Sequence, residues 1–259
     1  MILKKQTANK QEIESWNNDG FIFIKGDEIF DDETKKKIIS EVDDMDNWTD
    51  QIGKSFFYYE ESIDSSRGKI LNRIEYFFDY SKYLNSIFRG NDFINYISSL
   101  CGQTLVLYKE KINFKYPDTS GFEPHQDAQA GWDQHGHTFH VSIGVSIDPS
   151  NKKNGALELV RGKHKNGLIG NMFEPISSEV VNSLDWEMFE TDPLDLIIFN
   201  SYTPHRSSKN YSNNRRRMLF LTYNFLSEGD AREEYFRDKR KSFPPDIERD
   251  KNSSYSYKI

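Results

Sequence analysis

One cysteine, Cys101, is present, so no disulfide can form within the chain, and a reducing compartment suits it. No apolar run approaches membrane-spanning length. The opening MILKKQTANKQEIESW has no apolar stretch long enough for a signal peptide. A cytoplasmic protein with no membrane partner is the expectation. An excess of basic charge is also missing: 34 Lys and Arg face 41 Asp and Glu, a net charge of −7, which argues against nucleic acid as a partner. Internal repeats and low-complexity linkers are absent as well. What is abundant is aromatic, with 19 Phe and 14 Tyr, a composition that excludes disorder and favours a β-rich body. At 259 residues the chain suits a single domain whose core needs no staple.

The hydrophobic period changes near Gly102. Before it, residues 8–18, 31–45 and 76–101 carry helical spacing, with one short apolar strand at 21–24. After it, strands are expected at 104–114, 138–147, 155–160, 185–191, 195–200 and 216–225. Short strands at this spacing predict a mainly β fold, a double-stranded β-helix or jelly roll. Its core would span about 102–226, flanked by helices from 1–101, with an irregular tail over 227–259 wrapping the surface. In 138–147 one face is apolar and the other carries Thr138, His140, Ser142, Gly144 and Ser146. Such a polar face either meets solvent or lines a cavity.

The segment GFEPHQD places His125 and Asp127 two residues apart, a spacing that on a strand turns both side chains to one side. His205 follows in NSYTPH, just after the strand at 195–200. Two histidines and one carboxylate on one face of a metal leave positions open, the arrangement of non-haem Fe(II) oxygenases; zinc, manganese and cobalt accept the same donors. Arg216, eleven residues after His205 at the head of RRMLFLTYN, offers a guanidinium that can grip a carboxylate through two parallel bonds. A 2-oxo acid that chelates a metal needs such a partner at its far end. His-x-Asp alone is a weak signal; the four residues in this order and context make a strong one.

These residues carry a resemblance. The triplet HQD (125–127), GALELVRGKH (155–164), PLDLIIFNSYTPHRS (193–207) and NNRRRMLFLTYN (213–224) are similar to the phytanoyl-CoA dioxygenase family of 2-oxoglutarate oxygenases. The resemblance implies a double-stranded β-helix, Fe(II), 2-oxoglutarate as co-substrate and O2 as oxidant. His125, Asp127 and His205 would be the metal ligands and catalytic centre, and Arg216 the 2-oxoglutarate clamp, although Arg215 and Arg217 adjoin it. Halogenating relatives replace the acidic ligand; Asp127 is present, so hydroxylation is the expectation. KEKINFK (109–115), HQDAQAGW (125–132), YNFLSEGD (223–230) and DKRKSFPP (238–245) resemble a bacterial subgroup of alkylphosphonate hydroxylases, and a small anionic substrate such as 2-aminoethylphosphonate is the leading expectation. Amino-acid-like, acyl-CoA and natural-product substrates are alternatives, as is a zinc or manganese cupin-type hydrolase or isomerase.

Further candidates come from the neighbouring segments. Lys109 and Asn113, with Thr138, are candidates for holding 2-oxoglutarate; Lys111, Gln129, Trp132 and Arg161 are candidates for substrate contact. The competing reading for a lysine stripe is a solvent-facing sheet edge. Arg73 and Glu75 read as a surface ion pair, and His135 with His137 as a weak second metal candidate. Oligomeric state is not legible.

Overall fold

The alternation after Gly102 does build strands, and a further pair arises at 56–61 and 69–75, within the flank of 1–101 that was expected to supply helices. The computed structural model describes residues 3–62, 68–131 and 135–255. In chain order the helices are α1 (Lys10–Asp19), α2 (Gly26–Ile29), α3 (Asp32–Asp44), α4 (Lys82–Phe88), α5 (Asn91–Cys101), α6 (Ser178–Asn182) and α7 (Arg232–Ser242). The strands are β1 (Phe21–Ile24), β2 (Phe56–Glu61), β3 (Lys69–Glu75), β4 (Leu105–Lys115), β5 (Phe122–His125), β6 (His140–Ser146), β7 (Leu157–Val160), β8 (Trp186–Phe189), β9 (Leu196–Asn200), β10 (His205–Ser207) and β11 (Arg216–Phe225).

Seven strands form one antiparallel sheet in the order β1-β9-β6-β11-β4-β3-β2, and four form a smaller one, β5-β10-β7-β8. This is the double-stranded β-helix that the strand spacing predicts. Side-chain alternation divides the large sheet into two chemistries. Val141, Ile143 and Val145 of β6, Leu219 and Leu221 of β11, and Ile112 and Phe114 of β4 pack into the main apolar core. Ile38 and Val42 of α3, Leu84 and Phe88 of α4, and Phe93 and Ile97 of α5 meet them there. The opposite face carries Lys109, Lys111 and Asn113, Phe220 and Thr222, and Ser142; these line a recess between the sheets. All seven residues of β6 are buried, so its polar face looks onto a cavity and not onto solvent.

Local chemistry sets the helix ends. Asn9 caps α1, accepting from the Glu12 N–H, while the Glu12 carboxylate accepts from the Asn9 N–H. Gly20 then ends α1 with φ of 83°. A Cβ there would also lie 2.3 Å from His164 Nδ1, so glycine is required twice over. Asp31 caps α3 by accepting from the Thr34 N–H at 2.7 Å.

Three expectations need correction. The stretch 76–101 is two helices broken at Arg89-Gly90. The flank contains a hairpin, β2–β3, that extends the large sheet, with Arg73 opposite Asn113 and Glu75 opposite Lys111. Its first strand, FFYYEE, has no period of two, and a register shift at Tyr58/Tyr59 breaks what alternation remains. The tail is not irregular throughout: α7 packs Tyr235 and Phe236 against Phe56, Tyr58 and Tyr108. No helix among the described residues is long and apolar enough to cross a membrane.

Helix α7 is anchored by a buried ion pair. Arg232 donates to both Glu110 oxygens, from Nε at 3.0 Å and Nη2 at 2.5 Å, with neither side chain more than 1% exposed. Breaking such a pair leaves an uncompensated charge and costs about 3–5 kcal/mol. Arg232→Met should lower stability by about that amount in equilibrium urea unfolding. The double variant Glu110→Leu/Arg232→Met should recover much of the loss; a single variant as stable as wild type would contradict the anchoring role.

Candidate metal centre

Strand β5 ends at His125, and Asp127 opens a short 3-10 turn, Asp127–Ala130. The two therefore converge through a turn and not through strand alternation. Strand β10 begins at His205, which pairs in register with His125 across the small sheet. Their ring centroids are 4.2 Å apart. Asp127 Oδ1 lies 3.8 Å from His125 Nε2 and 3.7 Å from His205 Nε2.

Backbone carbonyls fix both imidazoles. Nδ1 of His125 faces Glu123 O at 2.6 Å, and Nδ1 of His205 faces Thr203 O at 3.0 Å. A carbonyl only accepts, so each Nδ1 carries the hydrogen and each Nε2 keeps its lone pair toward the other ligands. Burial, with His205 beside it, pushes His125 down to about 3. Burial also lowers His205, against the pull of Asp127. For Asp127 burial acts upward, but His205, His125, Lys109 and Lys111 outweigh it and hold the carboxyl below its usual range. Ser142 donates to Asp127 Oδ2 and leaves Oδ1 facing the histidines. Two neutral imidazoles and an ionised carboxylate make a divalent-metal donor set. Bonds of about 2.1 Å at right angles would bring the donor atoms to about 3 Å from one another. The three residues thus fit a metal ion with a small inward shift.

The sheet face that lines the recess continues into two cations. Arg216 and Lys115 are register partners on β11 and β4, 2% and 3% exposed. Arg216 makes no ion pair among the described residues; its Nη1 reaches only Met218 Sδ at 3.6 Å, and its Nε has no hydrogen-bond partner. Burial pulls it down to about 10. Its neighbours differ. Arg215 pairs with Asp46 at 2.7 Å. Arg217 holds Asp148 through two bonds, Nε at 2.9 Å and Nη2 at 2.8 Å, and also pairs with Asp43. Only the inward arginine of the three lacks a carboxylate. Lys115 donates to Ser207 Oγ at 2.8 Å and Ser208 O at 2.6 Å, and burial with Arg216 nearby pushes it down to about 6.

Outside the triad opens a cleft of about 400 Å³. Lys109, Lys111, His125 and Asp127 form its floor, with Tyr58 and Arg73 on one wall and Phe243, Asp246 and Arg249 of the tail on another. Arg73 is not a surface charge: it is 5% exposed, paired with Glu75 at 2.8 Å, and its guanidinium lies 4.4 Å from the Tyr58 ring centre. The wall formed by the tail and the hairpin was not foreseen, because the tail was read as wrapping the surface, Arg73 and Glu75 as a surface ion pair, and no strand was expected over 56–75. Ser142 was foreseen as part of the polar face of β6; Ser207, Thr222 and Lys115 had no signal beyond strand alternation.

Lys109, Lys111 and Asn113 face the recess and not solvent. Three candidates do not. Thr138 precedes β6, is exposed, and donates from N to Glu228 Oε1 at 3.0 Å. Gln129 is fully buried and binds backbone. Arg161 pairs with Asp19 and Glu187 over a separate surface groove. Trp132 lies outside the described residues. His135 lies beside His137, ring centroids 6.4 Å apart, but its donor cluster is with Glu234 and Asp238, on a partly exposed face where Arg237 already pairs with both acids.

The phytanoyl-CoA dioxygenase (PhyH) family matches residues 16–218, and so includes the triad, Arg216 and all of the recess lining but Phe220 and Thr222. The chain belongs to this family. Among its relatives, a 2-aminoethylphosphonate dioxygenase of the uncultured bacterium HF130_AEPn_1 is 39% identical over 93% of this chain and 91% of that protein. A methylphosphonate hydroxylase of Gimesia maris is 32% identical over 92% and 88%. The fold matches that of EctD from S. alaskensis, solved with 2-oxoglutarate and 5-hydroxyectoine, at a TM-score of 0.69 and 15% identity, over 85% of this chain and 77% of that one.

The buried neutral imidazoles predict how the metal-free protein responds to acid. His125 titrates near 6.5 when unfolded and at about 3 when folded. The unfolded chain therefore binds the proton first, and stability that is complete above pH 6.5 falls as pH drops toward 3. At pH 5 the loss from His125 is on the order of 2 kcal/mol. Asp127 adds nothing in that window, since its loss begins only near the ordinary carboxylate range. Thermal unfolding of metal-free protein at pH 7 and pH 5 should show a lower midpoint at pH 5, with the difference reduced in His125→Asn. An unchanged wild-type midpoint would contradict the assignment.

Proposed function

We propose that this dioxygenase hydroxylates a C–H bond of a small alkylphosphonate, with 2-aminoethylphosphonate as leading substrate, using Fe(II), 2-oxoglutarate and O2. His125, Asp127 and His205 hold the iron, and Arg216 holds the distal carboxylate of 2-oxoglutarate. The observation that carries the cofactor reading is the buried guanidinium of Arg216, without a carboxylate among the described residues, on the face of β11 whose Phe220 and Thr222 line the recess with the triad. A dicarboxylate whose oxo-acid end chelates the metal supplies the anion that this guanidinium lacks. Bound together, iron and 2-oxoglutarate supply the oxidising power, as O2 is consumed, succinate and CO2 are released, and one oxygen atom goes to the substrate.

The chain's own residues orient and shield. Ser142 sets the Asp127 carboxylate, the two carbonyls set the imidazole tautomers, and Asn113 and Ser207 lie along the recess. The cleft accounts for the substrate class. Lys109, Lys111 and Arg73 line it beside the metal ligands, while Asp127 is committed to the metal and Glu75 to Arg73 and Lys239. Glu60, Glu123 and Asp246 also border the cleft, Asp246 paired with Arg249, so the cations that a phosphonate dianion would meet beside the metal ligands are Lys109 and Lys111. The similarity to a 2-aminoethylphosphonate dioxygenase and a methylphosphonate hydroxylase supports the same class. The lone cysteine and the dependence on ferrous iron suit a cytoplasmic, reducing setting, and the acidic chain suits a small molecule better than nucleic acid as partner.

The test is turnover with 2-aminoethylphosphonate or methylphosphonate in the presence of Fe(II), 2-oxoglutarate and O2. Succinate and a hydroxylated phosphonate should form in equal amounts. Lys111→Met should raise KM for the phosphonate by about 10- to 100-fold, the range of one charge-assisted hydrogen bond, without loss of iron binding. Succinate formation coupled to neither phosphonate, but to an amino acid, would overturn the substrate assignment and leave the cofactor reading standing.

A further inference from the structure

The loop 167–176 has no regular secondary structure, yet it is fastened to the metal-ligand turn by two glutamines that are both fully buried. Gln126 lies between the ligands His125 and Asp127. Its Nε2 donates to Gly167 O at 2.8 Å and to Tyr202 O at 2.7 Å, and its Oε1 accepts from the Ile169 N–H at 2.7 Å. Gln129 donates from Nε2 to Asn171 O at 2.5 Å and Glu174 O at 2.7 Å, and its Oε1 accepts from the Gln126 N–H at 2.7 Å. Backbone bonds continue the join, from Phe173 N to Gln129 O at 2.9 Å and from Ile176 N to Pro124 O at 2.8 Å.

Each amide uses both hydrogens and its oxygen, so neither can be flipped without setting an oxygen against two carbonyls. Tyr202 belongs to the turn that leads into His205, and Ala128 N donates to Ser201 O of that turn at 3.0 Å. One side chain therefore spans the Asp127 turn, the His205 turn and the loop carrying Pro175, which lines the cleft.

We propose that Gln126 is a positioning residue for the metal site. Through Gln126 and Gln129, the 167–176 loop holds Asp127 and the His205 turn at the separation the iron requires. The inference rests on the reading of His125, Asp127 and His205 as iron ligands. It explains why two uncharged polar side chains are kept in full burial beside the site, where each unmade bond would cost about 1–3 kcal/mol. Outer partners of metal ligands that are removed typically weaken metal binding about 10- to 100-fold.

Gly170 offers an independent handle. A Cβ at this position would lie 2.7 Å from Gln129 Nε2, which two carbonyls already pin. Gly170→Ala thus displaces the amide from the loop side without altering either glutamine or any ligand.

The experiment compares wild type, Gln126→Met and Gly170→Ala by anaerobic Fe(II) titration, and by the ratio of succinate to hydroxylated phosphonate under O2. Gln126→Met should bind Fe(II) at least tenfold more weakly and form succinate in excess of product. Gly170→Ala should shift both readings the same way by less. Variants that melt at lower temperature but keep wild-type iron affinity and a ratio of one would overturn the proposal, leaving the glutamines as scaffold only. If Gln126→Met does not fold, Gly170→Ala decides by the same criteria. Failure of the wild type itself to bind Fe(II) would strike the ligand reading instead.

Discussion

A guanidinium buried between two sheets without a carboxylate is the constraint on which the site depends. Removing an ion from water costs several kcal/mol even after relaxation, and only a counter-charge in good geometry repays it. The protein provides that repayment for Arg215, Arg217 and Arg232, each paired with acidic side chains. It withholds it from Arg216 alone among these. No described carboxylate supplies the missing anion, and Arg216 stands on the face of β11 whose Phe220 and Thr222 line the recess with the three metal-type ligands.

Strand register turns that constraint into a site. On β11 the inward positions run Arg216, Met218, Phe220 and Thr222, opposite Lys115, Asn113, Lys111 and Lys109 of β4. A slip of one residue would turn Arg217, with its Asp148 partner, into the recess and put Arg216 in the helical layer. The outward face of the same strands, packed against α3, α4 and α5, prevents this: Leu219 and Leu221 are fully buried there. Apolar packing on one face thus fixes charge placement on the other, and the small sheet carries the histidines across from it.

Much of this was legible without coordinates. The strands after Gly102 alternate cleanly, and His125, Asp127, His205 and Arg216 stand at spacings whose chemistry is recognisable. The turn at Asp127 was not, because HQD reads equally well as strand or turn. The hairpin β2–β3 was hidden by FFYYEE, whose aromatics face both sides of the sheet, so no period appears. Arg73 consequently looked like a surface charge. Thr138 and Gln129 failed for opposite reasons. The strand begins two residues later than its polar pattern suggests, and Gln129 turns inward to backbone groups that only the folded loop brings near. Arg161 was misplaced because a turn after a strand says nothing about which end of the barrel it occupies.

The most direct test of the central claim is anaerobic titration of Fe(II) protein with 2-oxoglutarate, following the weak visible absorption of the chelate, in wild type and Arg216→Ala. The account predicts that the band forms in wild type, and that the variant needs at least about 100-fold more 2-oxoglutarate while still binding Fe(II). Equal affinity in the two proteins, or no band in wild type with iron demonstrably bound, would contradict it.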